Sequence, residues 1–151
     1  MGRLFGTDGA RGVANSDLTC ELSMNIGRAA AMVLTKGGHR HPKILIGKDT
    51  RVSSDMLENA LIVLRLVVVP PPAVAYLIGK YGADAGVMIS ASHNPCEFNG
   101  IKIFSSTGYK LPDALEEQIE AIVLDHAEEP EYPTGGDVGS VSTAVSAVRD
   151  Y

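Results

Sequence analysis

The sequence has little of what marks several protein classes. It carries two cysteines in 151 residues, Cys20 and Cys96. That is too few for a disulfide framework or a closed zinc site, so a reducing compartment is expected. No secretory signal opens it, because Met1-Gly2-Arg3-Leu4-Phe5-Gly6 runs straight into glycine-rich sequence. Gly6 also stands where N-myristoylation asks for Ser or Thr. The most apolar window, Leu61 to Ile78, is broken by Arg65 and by Pro70-Pro71-Pro72, which rules out a membrane span there. A basic excess is missing too: 13 Lys+Arg against 18 Asp+Glu leave a net charge of −5, with no broad nucleic-acid footprint. The expectation is a soluble, cytoplasmic protein with no nucleic-acid and no membrane partner.

With 45% hydrophobic and 21% charged residues, the chain is not disordered by composition. A chain of this length buries roughly 68–70% of its unfolded surface, enough for one self-sufficient domain. The opening Gly6-Thr7-Asp8-Gly9-Ala10-Arg11-Gly12 reads as a loop. Thr19 then caps a helix with Leu22, Ile26, Ala29, Ala30 and Val33 on one face, stopped by Gly37-Gly38. A strand at Lys43–Ile46 runs into Gly47-Lys48-Asp49-Thr50-Arg51. Ser53 or Ser54 caps a second helix with Leu57, Ala60, Leu61 and Leu64 on its face. Val67-Val68-Val69 reads as a buried strand, and Ala73, Val74, Leu77 and Ile78 as a helix ending before Gly82. Val87-Met88-Ile89 is the next strand, and Ser90-Ala91-Ser92-His93-Asn94-Pro95 leaves its end. Lys102 alternates with Ile101 and Ile103 in a further strand. After the turn Ser105–Gly108, Pro112 starts a helix with Leu115, Ile119, Ile122 and Val123 buried. From Glu128 the chain is acidic, then rich in Gly, Ser and Thr, as in a linker or domain end. Helices alternating with short β-branched strands give an α/β class with a mostly parallel sheet.

Ser92 is the first chemical candidate, since α/β sheets bind ligands beyond the C-terminal ends of their strands. His93 and Lys102 are near enough in sequence to manage a proton or a charge there. The plain alternative is a polar Asn-Pro turn. A Ser-His-Asp hydrolase is disfavoured, because adjacent Ser92 and His93 are expected to point differently and no Gly-x-Ser-x-Gly elbow exists. Arg11 lies between glycines that admit a close ligand, and its guanidinium suits a phosphate; the alternative is a solvated arginine on a mobile arm. The glycines match neither the dinucleotide fingerprint nor a P-loop. Lys48, Asp49 and Arg51 read as a solvated turn, with an ion-paired loop near the site as the other option. His39 and His41 read as inert, Glu128–Glu131 as a solvated face, and His93 with Cys96 as too few ligands for a metal.

Three stretches together carry a more specific signal. LFGTDGARG (4–12), GKDTRVS (47–53) and ADAGVMISASHNPCEFNGIKIFSSTGYKL (83–111) resemble the α-D-phosphohexomutase superfamily, most closely its phosphoglucosamine mutase subfamily. Ser90, where phosphomannomutases commonly carry Thr, points the same way. The resemblance implies a mixed, mostly parallel sheet between helices. It also implies that Ser92 is phosphorylated and passes its phosphoryl group to a hexosamine phosphate, through a bisphosphate that returns its other phosphoryl group to the serine. The product pair would be glucosamine 6-phosphate and glucosamine 1-phosphate, on the route to UDP-N-acetylglucosamine. Arg11 and Lys102 match the positions of the general acid/base and charge-stabilising group, and His93 the neighbour in the serine loop. Mg²⁺ is the implied cofactor, bound to a phosphoserine oxygen at Ser92 and to aspartates of an Asp-Gly-Asp-x-Asp-Arg motif.

That motif is absent here, as are the family's sugar-selecting loop and its C-terminal phosphate-binding loop. Residues 1–135 are therefore expected to be the phosphoserine domain, 136–151 a linker or domain end, and the sequence one domain of a four-domain protein. Alone it is expected to lack turnover. Pro71 stands where the family commonly has Thr. Between Leu61 and Val68 roughly ten residues are short of the family pattern, leaving little room for the usual 2–6-residue helix-to-strand link. Two other readings stay open. One is a phosphomannomutase or phosphoglucomutase relative; the other is a non-catalytic fragment that self-associates, as a homodimer for example, through an uncovered apolar face.

Overall fold

The structure is a computed structural model that describes residues 2–35, 42–61, 64–129, 134 and 140–151, with backbone only at 35 and 64–67. Eleven elements are described. They are β1 (Ala10–Val13), α1 (Cys20–Thr35), β2 (Ile44–Lys48), α2 (Val52–Leu61), β3 (Leu64–Val68), α3 (Pro71–Tyr81), β4 (Ala85–Ile89), β5 (Phe98–Ser105), α4 (Asp113–Asp125), β6 (Thr143–Ala144) and α5 (Ala147–Asp150). One sheet takes all six strands in the order β1-β5-β4-β2-β3-β6. Strands β4, β2, β3 and β6 are parallel neighbours, while β5 runs antiparallel to both β4 and β1. The sheet is thus mixed and mostly parallel, between two layers of helices, as expected. None of the described helices is long and apolar enough to cross a membrane.

Alternation along the strands sorts the core into two layers. Ile44, Ile46, Ala85, Val87, Ile89, Ile101 and Ile103 face α1, α2 and α4, which contribute Ile26, Ala29, Leu57, Leu61, Ile119 and Val123. Leu45, Met88 and Phe104 face the other way, against Val74, Leu77 and Ile78 of α3 and Ala147 of α5. Both layers follow the helical stripes read from the sequence. Thr19 Oγ1 accepts from the Leu22 amide at 3.1 Å, the expected N-cap, and Gly82 closes α3 in the left-handed conformation. Pro112 precedes α4 as its N-cap residue.

Ala10, Arg11 and Gly12, expected in a loop, lie in β1, and the expectations for α2 and β3 also need correction. The second helix begins at Val52, so Ser53 and Ser54 lie inside it and do not cap it. Leu64 belongs to β3 and not to the face of that helix, and the strand covers Leu64–Val68 in place of 67–69. The cause is the link: only residues 62 and 63 separate α2 from β3, so the strand must start at once. The register of β3 on β2 shifts between Ile46 and Lys48, where β3 holds one extra residue. Within 136–151, β6 pairs with β3 and Ala147 is fully buried. Gly37, Gly38, His39 and His41 lie outside the described residues, as do 130 and 131 of the acidic stretch.

One carboxylate ties the N-terminal segment to α4. Glu120, 4% exposed, accepts the backbone amides of Arg3, Leu4 and Phe5 at 3.0, 2.8 and 2.7 Å. Burial works against its ionisation, but the three amides and the Arg3 charge outweigh that and hold it below the ordinary carboxylate range. A lowered folded pKa means the ionised Glu120 stabilises the fold above the unfolded carboxylate range, and that this share is lost as pH falls through its lowered value. Glu120→Gln is expected to cost about 1–2 kcal/mol at neutral pH in urea denaturation. The gap from the parent should close on acidification, and a gap constant with pH would refute the assignment.

Candidate functional site

The site forms where β2 and β4, adjacent and parallel, end side by side. The Asp49 amide donates to Ile89 O at 3.1 Å, joining the two strand exits. Beyond them opens a groove of about 830 Å³ lined by Asp49, Thr50, Arg51, Val52, Pro71, Ser90, Ser92, His93, Asn94 and Cys96. Ser92 sits at its rim with φ 56°, a left-handed conformation uncommon for a residue with a side chain. Its amide donates to Ser90 Oγ at 3.0 Å, and its Oγ lies 3.4 Å from His93 Nδ1, within hydrogen-bond reach. Ser92 and His93 thus lie within reach of each other, although as neighbours in sequence they were expected to point differently.

Arg11 and Lys102 stand beside this groove and not in its lining. Arg11 pairs with Gly100 across β1 and β5, and Lys102 pairs with Met88 across β5 and β4. Both side chains thus project from the sheet face that α3 covers over β2 and β4, and both remain partly exposed. The link to Ser92 runs through the backbone: Ser90 N donates to Gly100 O at 2.9 Å, directly opposite Arg11. Asp8, which the sequence reading passed over, joins the two cations, 3.6 Å from Arg11 and 3.9 Å from Lys102. Its signal was present, since Asp8 and Arg11 are three residues apart across the Gly9 turn. Lys102 also lies 5.7 Å from the centre of the Phe104 ring. Arg11 Nε is buried and has no hydrogen-bond partner among the described residues.

The reading of Lys48, Asp49 and Arg51 as a solvated turn is overturned. Lys48 Nζ pairs with Asp55 and, at 2.7 Å, with the buried Glu58. Burial lowers the tendency of Lys48 to stay charged, but these two carboxylates prevail and raise its pKa. Asp49 accepts the Arg51 amide at 3.0 Å, Arg51 Nε at 3.0 Å and Ser54 Oγ at 2.8 Å. Burial pushes its carboxyl up, yet hydrogen bonds from Arg51, Ser54 and Ser90 bring it below the usual value. Asn99, fully buried, donates to Ser53 Oγ and Ser54 Oγ at 2.9 and 3.1 Å. The hydroxyls read as helix caps instead tie α2 to β5. The signal for this role was the alternation of acid and base in Lys48-Asp49-Thr50-Arg51, which cannot by itself tell a buried network from a wet turn.

Among the described residues, no group of three or more His, Cys, Asp or Glu side chains could hold a metal ion.

Two glycines set the spacing. A Cβ on Gly9, at φ +89°, would lie 2.3 Å from Ile101 O, and one on Gly100 would lie 2.9 Å from both Arg11 Cγ and Ser90 O. Gly100→Ala is expected to lose about 1–3 kcal/mol of stability in urea denaturation, because Arg11 or the β4–β5 exit must move. A variant as stable as the parent would show that the close approach is not needed.

Comparison with known proteins follows this geometry. The family model for phosphoglucomutase/phosphomannomutase, alpha/beta/alpha domain I, matches residues 2–130. The phosphoglucosamine mutases of Clostridium beijerinckii and Caldanaerobacter subterraneus subsp. tengcongensis are 57% and 56% identical over the whole of this chain. The chain spans about 36% and 35% of their lengths. Each alignment covers 160 positions against 151 residues here, so at least nine positions of the relatives lack a counterpart, close to the shortfall expected after α2. A phosphoglucomutase/phosphomannomutase family protein from Burkholderia thailandensis superposes with a TM-score of 0.77, at 21% identity, covering 97% of this chain and 34% of that one. The chain belongs to the phosphoglucomutase/phosphomannomutase family, of which it carries the α/β/α domain I.

Proposed function

We propose that this chain is the phosphoryl-carrying domain of a phosphoglucosamine mutase, with Ser92 as the carrier. The observation that supports it most is the placement of a serine hydroxyl in a left-handed turn at the rim of a groove, beside a partly exposed cationic sheet face. In the proposed cycle the phosphoryl group leaves Ser92 Oγ for a hydroxyl of the hexosamine phosphate. The bisphosphate so formed then turns over and returns its other phosphoryl group to Ser92.

Transfer of this kind depends on positioning and on stabilising charge rather than on covalent work by the protein. A phosphoserine carries about −1.5 to −2 charges at neutral pH, and cations must gather round it. Arg11 and Lys102 are the proposed cations, one assisting proton transfer and the other balancing charge. Arg11 Nε, buried without a partner among the described residues, is a donor in need of an acceptor. His93, beside the Ser92 hydroxyl, is proposed to help hold its proton. Asp8 would keep Arg11 and Lys102 close together while the serine is unphosphorylated. Mg²⁺ belongs to the proposal only for a longer protein, since the described residues do not complete a site for it.

Two outcomes are expected. Incubation of the full-length protein with a hexosamine 1,6-bisphosphate should add one phosphoryl group, mapped to Ser92 by peptide mass analysis and abolished by Ser92→Ala. A label that survives that substitution would sink the carrier assignment. The 151-residue protein should not interconvert the two glucosamine phosphates in a coupled assay. Robust Mg²⁺-dependent turnover by the purified chain would contradict the division of labour proposed for the longer protein.

A further inference from the structure

We propose that Arg51 is the positioning residue of the serine loop, fixing Ser92 from behind without touching the transferred group. This deepens the reading of Ser92 as phosphoryl carrier and rests on it.

A guanidinium has five N–H donors in a rigid planar fork. In Arg51 every one of them is committed to the protein. Nη1 donates to Pro95 O at 2.7 Å and to Phe98 O at 3.1 Å. Nη2 donates to Ser92 O and Asn94 O, both at 2.9 Å. Nε donates to Asp49 Oδ2 at 3.0 Å. The Arg51 side chain is 12% exposed; its bonds to Asp49, Asn94 and Phe98 are partly buried, and those to Ser92 and Pro95 lie at the surface of the loop. With no donor to spare, Arg51 has none to offer a phosphate, in contrast to Arg11, whose Nε is unspent.

Four carbonyls of one loop converge on this single cation. In a trans peptide the C=O and the following N–H point in opposite directions. Drawing the Ser92 and Pro95 carbonyls onto Arg51 therefore turns the amides of His93 and Cys96 away from it. The left-handed φ of Ser92 costs free energy and persists only where the surroundings over-determine it. The Arg51 fork is that over-determination, and Asp49, held by Ser54, fixes the fork in turn. Lysine cannot substitute, because one ammonium with three donors cannot span four carbonyls and a carboxylate.

The test compares the 151-residue chain with Arg51→Gln and Arg51→Lys. Amide hydrogen exchange is read at Ser92, Asn94 and Phe98, whose N–H groups bond to Ser90 Oγ, Ala91 O and Pro95 O, and at the amides of β2 and β4. Both variants should exchange about tenfold faster or more at the three loop amides, with the core amides unchanged. Unchanged loop exchange would overturn the proposal. So would an equal rise in loop and core, which would make Arg51 a prop of the whole domain, or full restoration by Lys, which would reduce its part to charge. Phosphoryl uptake from a hexosamine 1,6-bisphosphate separates this from the carrier reading. Read in the longer protein that supplies the remaining domains, absence of label at Ser92 overturns the carrier reading, while exchange in the 151-residue chain still decides what Arg51 holds. If the longer protein is labelled, Arg51→Gln should slow uptake about tenfold, and an equal rate would overturn the positioning role.

Discussion

The site depends on one ion pair placed where water hardly reaches it, Asp49 with Arg51. Burying a charge is unfavourable unless it is paired and its remaining hydrogen-bonding capacity is filled. Here both conditions are met by short-range means. Asp49 and Arg51 are two residues apart, Ser54 comes from the first turn of α2, and the acceptors for the guanidinium come from the backbone of the serine loop. The pair thus joins the exit of β2, the start of α2 and the loop after β4. Each of these leaves the same edge of the sheet, so the parallel pairing of β2 and β4 is what makes the junction geometrically available.

A second constraint is where the helices are not. Helix α3 shields β2, β4 and Phe104 of β5, α5 packs beside β3, and the part of that face that carries Arg11 and Lys102 stays partly exposed. Arg11 and Lys102 can stand there with their charged ends in reach of solvent while their stems lie on the sheet. Glu120 matters at a distance for the same reason. By holding residues 3–5 it delivers the chain to β1 in register, and register decides which face receives Arg11.

Much of this was legible in the sequence because it was written in periodicity. Leu22 through Val33, Ala73 through Ile78 and Leu115 through Val123 announce buried helix faces, and Ile101-Lys102-Ile103 a strand with its lysine turned outward. Ser92 and His93 were legible as the loop after a strand. Arg51 and Asp49 were not, since a short run of opposite charges looks alike whether it closes on itself in water or on a neighbouring loop 41–47 residues further along. Ser53 and Ser54 failed for a related reason. Serine before an apolar stripe is a sound cap signal, but their hydroxyls had partners in Asp49 and Asn99 that local sequence cannot display. The early start of β3 is a matter of chain length: with two residues between helix and strand, geometry overrode the apolar run that had suggested Val67–Val69.

The triple proline has a meaning beyond breaking an apolar window. Helix starts normally present free amides that attract anions. At the start of α3, Pro71 and Pro72 have no N–H to offer, and the Ala73 amide is already bonded to Pro70 O. Pro71 nonetheless forms one wall of the groove. That wall is electrically silent, a smooth apolar flank. The start of α3 therefore offers the groove no free amide, and hydrogen-bond donors there come from its other walls.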